Sequence, residues 1–311
     1  YNFNHNKYED KEQHNNYNSF NENALYNSSY TWTNTASYHQ QIDKHSIKLL
    51  VGSAAIKNSG RAVGGSSEKF FSTSPDYLVL NNGTLNVSNY SSSYVNTLFS
   101  LFGRLDYSYD DKYLLGATLR RDGSSVFGSD MRYGLFPSFS AGWRISSENF
   151  MEHVNFVNLL KLRGSYGILG SQANINASNA FSLYNSGFGT SYYDIGGTGS
   201  TRQGFYQSNI GNRKTSWEED VVTNIGLDAT ILNNKLDLSI EWYKKSIDGL
   251  LFPLPLPASV GGAAPPTVNI GDIQNKGWDI SVAHRGKFNK EVTYNIGVNI
   301  TTYKNEVVSI P

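Results

Sequence analysis

The chain has no cysteine, which excludes a disulfide framework and thiolate metal sites while leaving the compartment open. It has no net charge either, with 26 basic and 26 acidic residues, so nothing in the balance asks for nucleic acid or an anionic surface. No apolar run approaches the roughly 18 residues that mark a membrane-spanning helix. The six histidines (5, 14, 39, 45, 153 and 284) show no H-E-x-x-H spacing, so neither metal nor cofactor is expected. No G-x-S-x-G stands anywhere, and no enzyme is expected, although catalytic residues far apart in sequence would escape such a reading. There is no signal peptide at Tyr1, where the chain opens on a polar, Asn-rich stretch.

What is abundant is aromatic and small residues: 14% Phe, Trp and Tyr, with 21 Tyr and 29 Gly among 311 residues. They are arranged with a period of two. Val292 to Ile300 reads V-T-Y-N-I-G-V-N-I, an alternation that gives a strand one apolar and one polar face. The pattern recurs about ten times. Apolar faces run through Tyr30 to Tyr38, Ile47 to Ala55, Phe99 to Tyr109, Tyr113 to Leu119, Tyr133 to Ile145, Leu160 to Leu169, Val221 to Ile231, Leu236 to Trp242, Trp278 to Val282 and Val292 to Ile300. This is an all-β chain. So many apolar faces suit a transmembrane antiparallel β-barrel segment, which hides half of each strand from lipid and so tolerates a negative mean hydropathy. A soluble β-sandwich is the structural rival, and it predicts folding without detergent.

Residues 1–25 read as loop, as do roughly Ser59 to Asn96, Arg121 to Arg132, Ser171 to Ser216 and Asp248 to Gln274. Ser147 to Glu152 reads as the capped start of a short helical turn. Asn233-Asn234 tolerates positive φ and suits a tight hairpin. Short and long links alternate, as short periplasmic turns and long outer loops do in outer-membrane barrels, with 146–159 the imperfect case. Ten strands would leave both chain ends outside, so the chain is expected to be an interior segment of a larger barrel.

Four stretches carry a resemblance. They are Leu119-Arg120-Arg121-Asp122-Gly123-Ser124-Ser125-Val126-Phe127-Gly128 followed by Tyr133 to Ile145, then Leu160 to Gln172, then Trp217-Glu218 leading into Asn224-Ile225-Gly226-Leu227-Asp228, and Asn269-Ile270-Gly271-Asp272 to Trp278. In this order the chain resembles the SusC/RagA branch of TonB-dependent outer-membrane transporters. The match is weaker over residues 1–95. The resemblance implies a 22-stranded barrel around a plug domain, with import driven by the TonB complex and a SusD-like surface lipoprotein as lid. Residues 1–311 would then be part of the barrel domain, with plug and TonB-contacting segment lying elsewhere. The solute would be an oligosaccharide or an oligopeptide. A passive porin, or a surface binding and assembly platform, would share the strands without TonB-driven uptake.

Placing charges away from lipid puts Arg104, Asp106, Arg120, Arg144, Lys161, Arg163, Asp228, Glu241 and Asp279 on the inner wall, where they pair across strands, meet the plug or line the solute path. Phe188, Tyr192, Tyr193, Asp194, Arg202, Phe205 and Tyr206 are the candidate contacts for solute or lid, since aromatic planes stack on sugar rings. Arg120-Arg121-Asp122-Gly123 lacks P-loop spacing and reads as a structured loop at the mouth rather than an anion site. Tyr30, Trp32, Tyr107, Tyr109, Tyr113, Tyr133, Trp143 and Trp242 read as interfacial girdle aromatics.

Overall fold

A computed structural model describes residues 2–4, 17–186, 191–289 and 291–309. Ten long strands carry the fold: β1 (Ser19–Ile42), β2 (His45–Glu68), β3 (Leu85–Tyr109), β4 (Tyr113–Ser124), β5 (Tyr133–Arg144), β6 (Val157–Ser171), β7 (Glu218–Ile231), β8 (Leu236–Asp248), β9 (Asp272–Lys287) and β10 (Thr293–Ser309). They neighbour one another in chain order, with a short strand, Asn2–Asn4, on the outer edge of β1. From β3 to β10 the pairing is antiparallel throughout.

Contacts divide the chain into two compact units. The first comprises Tyr1–Trp32 and Ile56–Thr97. Here strand replaces the expected loop over 2–4 and 19–25 within residues 1–25, and over most of 59–96. β1 begins at Ser19, β2 runs on to Glu68, and β3 starts at Leu85. The physical reason is cross-strand aromatic cover. The Tyr94 ring lies where a Cβ on Gly60 would stand, and the Tyr90 ring does the same at Gly64, so glycines that weaken a strand are capped by a neighbour's ring. Only 69–84 remains a connection, with two 3-10 turns, Pro75–Tyr77 and Leu80–Asn82. The Asn18 side chain closes it by bonding both the amide and the carbonyl of Phe70.

The second unit comprises Thr33–Ala55 and Leu98–Pro311. Register sorts its side chains into two faces. On one, Leu162, Leu227, Ile240, Ile280 and Ile300 stand side by side across five strands, with Ile225, Trp242 and Trp278 in the next row. On the other, Arg163, Gly226, Glu241, Asp279 and Thr301 form a row beside Lys161, Asp228, Ser239, Ser281 and Asn299. The apolar face is open: Ile300, Ile225 and Phe139 keep more than half of their surface exposed. A water-soluble sandwich would cover such rows with a second sheet.

The tight turns obey local chemistry. Asp110 and Asp111 both take φ 51°, and Leu232, Asn233 and Asn234 take 58°, 57° and 63°, conformations that Asn and Asp tolerate best. β4 continues to Ser124, so the Arg121 to Arg132 loop is shorter than expected. The segment after β5 holds two 3-10 turns, Ile145–Ser147 and Asn149–Met151, with no side-chain cap, which corrects the capped start expected there. Glu148 is used otherwise: Tyr113 Oη and Trp143 Nε1 both donate to its Oε1, at 2.6 and 2.9 Å.

These bonds, Tyr113 first, hold the Glu148 carboxyl below its usual value, as the Lys44 ammonium does for Asp110 in the neighbouring turn. A lowered carboxyl contributes stability that is complete above the ordinary carboxylate range and disappears as pH falls through the lowered value. In the full-length protein, hydrogen exchange of amides 145–152 is therefore expected to be slower than in Glu148→Gln at neutral pH. The two should converge in acid. A gap that does not depend on pH would refute the latch.

Candidate functional site

The four sequence stretches of the resemblance meet at one end of the second unit, the end that carries the long loops. Val126, Phe127, Phe136 and Trp217 are buried together, with Leu98, Ile168, Ile175 and Ala177 packed against them. Trp217 lies 4.9 Å from Phe127 and 5.4 Å from Phe136, edge-on to the latter, a geometry that adds to plain burial. Its Nε1 donates to the Arg132 carbonyl at 3.1 Å. The Phe136 ring lies where Cβ atoms on Gly134 and Gly170 would stand, so β5 and β6 can hold it there only because those positions are glycine.

Polar bonds tie the remaining loops into the same block. Buried Glu218 accepts from the Leu251 amide at 2.9 Å. Asn269 donates to the Ser216 and Gly249 carbonyls and accepts from the Ser216 amide, while Asp272 accepts from the Gly249 amide. Asn179, also buried, donates to Thr215 and to the Thr267 carbonyl and accepts from the Thr267 amide. Loops 125–132, 172–217 and 249–271 are thereby fastened to each other. Sequence reasoning had missed Glu218, Asn179 and Asn269 as anchors. Trp217-Glu218 and Asn269 were visible as motif members, but without partners.

Arg120 settles the reading of its glycine-bearing stretch. Its Nε donates to both carboxylate oxygens of Asp122 at 2.8 Å, and its Nη2 to Ser100 at 2.8 Å. The group is committed to the wall and not held out for an anion.

The loop aromatics do not converge on one point. Tyr192, Tyr193 and Asp194 pair with Gln203, Arg202 and Thr201 in a small hairpin. Asp194 folds back to accept from the Thr198 and Gly199 amides. Tyr206 opens a separate ribbon that pairs with Leu183–Asn185, and Phe205 stands between the two, 70% exposed. Tyr192 and Tyr193 keep 56% and 55% of their surface free for contact. Phe188 lies outside the described residues.

On the polar face, Arg163 Nε donates to Asp228 at 2.9 Å, and its Nη1 pairs with Glu241. Ser239 also donates to Asp228, at 2.8 Å. Asp106 receives the Arg104 guanidinium at 2.8 Å. A cavity of about 460 Å³ brings Asp106, Lys161 and Arg163 together with Lys48 and Asn224. Asp279 lies opposite Glu241, and Arg144 opposite Lys161 with its Nε buried and unbonded among the described residues. The face is a charged wall, paired at Arg104–Asp106 and at Arg163 with Asp228 and Glu241. Among the described residues no group of His, Asp and Glu is arranged to hold a metal ion.

Comparison with known proteins agrees with this geometry. Residues 1–309 match the family model described as TonB dependent receptor-like, beta-barrel. The chain is 38% identical over 215 residues to a TonB-dependent receptor of Formosa agariphila, covering 69% of this chain and 20% of that protein. It is 37% identical over 225 residues to TonB-dependent receptor SusC of Bacteroides thetaiotaomicron, covering 69% of this chain and 21% of the relative. It superposes on the RagAB peptide transporter structure with a TM-score of 0.82 and 27% identity, over 96% of this chain and 32% of that one. The chain thus spans about a fifth of these curated relatives' length.

Proposed function

The chain belongs to the SusC/RagA type of TonB-dependent receptor β-barrels of the bacterial outer membrane, and on that premise we propose that it is the part of an importer's wall that presents the solute-binding rim. The wall is completed into a closed barrel of 22 strands by strands outside residues 1–311. β10, and β1 beyond its short pairing with Asn2–Asn4, offer the edges that closure requires. The apolar face contacts lipid, and the polar face lines the lumen and meets the plug. A SusD-like lipoprotein closes the outer mouth. TonB force, reaching the plug through other parts of the protein, lets a bound oligosaccharide or oligopeptide pass to the periplasm.

The observation that carries this reading is the buried block under the rim. Trp217, Glu218, Asn179 and Asn269 fasten three loops to one another, and the second of these loops carries the exposed hairpin of Tyr192 and Tyr193; aromatic surface presented from an anchored loop binds at lower entropic cost than the same surface on a free one. Replacing both tyrosines by alanine in the full-length protein is expected to lower solute affinity about tenfold to a hundredfold, at roughly 1–3 kcal/mol for lost aromatic contacts. Assembly into the membrane should be unchanged. Uptake of fluorescent oligosaccharides and oligopeptides by cells reads the effect and tells the two solute classes apart. Wild-type uptake of every solute by the double variant would overturn the placement of the site on this hairpin.

A further inference from the structure

One row of the apolar face breaks its own rule. Next to Ile225, Trp242 and Trp278, on the same face and one pleat further from the tight turns, stand Thr223, Lys244, Lys276 and Lys304. The three lysines occupy directly opposed positions on β8, β9 and β10, where like charges destabilise a sheet. Lys245, on the polar face, has Asp220 at 3.1 Å. Of the three outward lysines only Lys304 has a carboxylate, Glu306 at 3.4 Å, among the described residues. Glu219 and Asp248 oppose each other two rows further out, on the water side of the lysines.

The height of the row matters. Lys244 is the ninth residue of β8, and at about 3.4 Å per residue and a 35–45° tilt it stands roughly 20 Å above the turn that opens the strand. The apolar band of such barrels is about 25 Å tall, so the lysines stand just inside its outer boundary, and their long side chains climb to the outer leaflet's headgroups. Arg121 repeats the arrangement elsewhere in the sheet. It is the ninth residue of β4, it stands in the apolar-face row between Leu101 and Leu135, and it lies 4.1 Å over the Tyr133 ring. Below the lysines an apolar groove of about 490 Å³ opens among Leu162, Ile225, Leu227, Ile240, Trp242 and Trp278.

We propose that Lys244, Lys276 and Lys304, together with the groove beneath them, form a binding site for a phosphate-bearing lipid of the outer leaflet. The headgroup phosphate sits against the three ammonium groups and an acyl chain lies between Trp242 and Trp278. The phosphate supplies the counter-charge that Lys244 and Lys276 lack among the described residues, and the groove supplies a place for the chain that a free anion would not use. The site rests on the reading of the apolar face as lipid-facing.

The test uses the full-length protein in bilayer nanodiscs, with Thr302→Cys labelled by a bimane fluorophore in a background without other cysteines. Thr302 neighbours Trp278 in the row below the lysines. Brominated phosphatidic acid is expected to quench the probe at a mole fraction at least about tenfold lower than brominated phosphatidylcholine, since the lysines attract an anionic headgroup. Lys244→Gln, Lys276→Gln and Lys304→Gln together should merge the two curves, and the triple arginine variant should keep them apart. Coincident curves in the wild type, or a separation that survives the glutamine variant, would overturn the site. Loss of the separation in millimolar inorganic phosphate would assign the lysines to a free anion and overturn the lipid. A probe quenched by neither lipid would mean that the face does not meet the bilayer, a failure of the underlying reading and distinct from the others.

Discussion

Trp217→Ala in the full-length protein is expected to leave the strands assembled and to release the long loops. Trp217 is 7% exposed and packs on two phenylalanines, so truncation to alanine removes about 3–5 kcal/mol from the block in which it sits. The orphaned Arg132 carbonyl adds to the loss, because a buried acceptor without its donor costs about 1–3 kcal/mol. The penalty falls on loops and not on the sheet, whose backbone ladder continues through β7 regardless. Proteinase K added to intact cells should then cut within 125–132 and 172–216 at sites that the wild type protects, and solute binding should fall with the protection. Trp217→Phe separates packing from the hydrogen bond: it keeps most of the buried area and is expected to cost only about 1–2 kcal/mol. A Trp217→Ala protein with wild-type protease resistance would show that the loops are held by something other than this core.

That loop block is also where sequence reasoning reached furthest without understanding what it had found. Trp217-Glu218, Asn269-Ile270-Gly271 and Asp122 to Phe127 stood out as stretches that carry the resemblance, yet their meaning is a set of contacts between residues 33 to 90 positions apart. Trp217 meets Phe127, Glu218 meets Leu251, and Asn269 meets Ser216. No local pattern encodes such partners. The strands of the second unit were legible because one face is apolar, which imposes a period of two. The same logic explains the failure at 59–96. There β2 and β3 run on with Gly60, Gly64, Gly65 and a series of serines, water meets both faces, and the period is lost although the ladder persists. Their 24 and 25 residues compare with about 9–11 needed to cross a bilayer, so the extra length had no membrane signature to betray it. The partners of Asp194 were hidden for a different reason: a short polar residue before a glycine-bearing turn commonly binds its own backbone, as it does here.

The assignment of faces makes the second strong prediction, since a period of two leaves no middle course. Ile240 is the fifth residue of β8, midway between Leu236 at the turn and Lys244 at the outer girdle, and it stands between Leu227 and Ile280 on the apolar face. Ile240→Arg places a guanidinium near the bilayer midplane, where it costs about 2–4 kcal/mol, and the long side chain has several residues to climb before it reaches headgroups. Its neighbour Ser239 faces the other way, bonded to Asp228 on a wall that already carries Lys161 and Arg163. Ser239→Arg loses one hydrogen bond and gains a carboxylate within reach, so its net effect should stay within about 1 kcal/mol. Urea titration of the full-length protein refolded into phospholipid bilayers should therefore separate two arginines introduced one residue apart. If the two variants matched, or if Ser239→Arg were the weaker, the polar face would have to be the one in lipid. The paired charges of Arg163, Asp228 and Glu241 would then lie in hydrocarbon, at a desolvation cost that their mutual attraction does not repay.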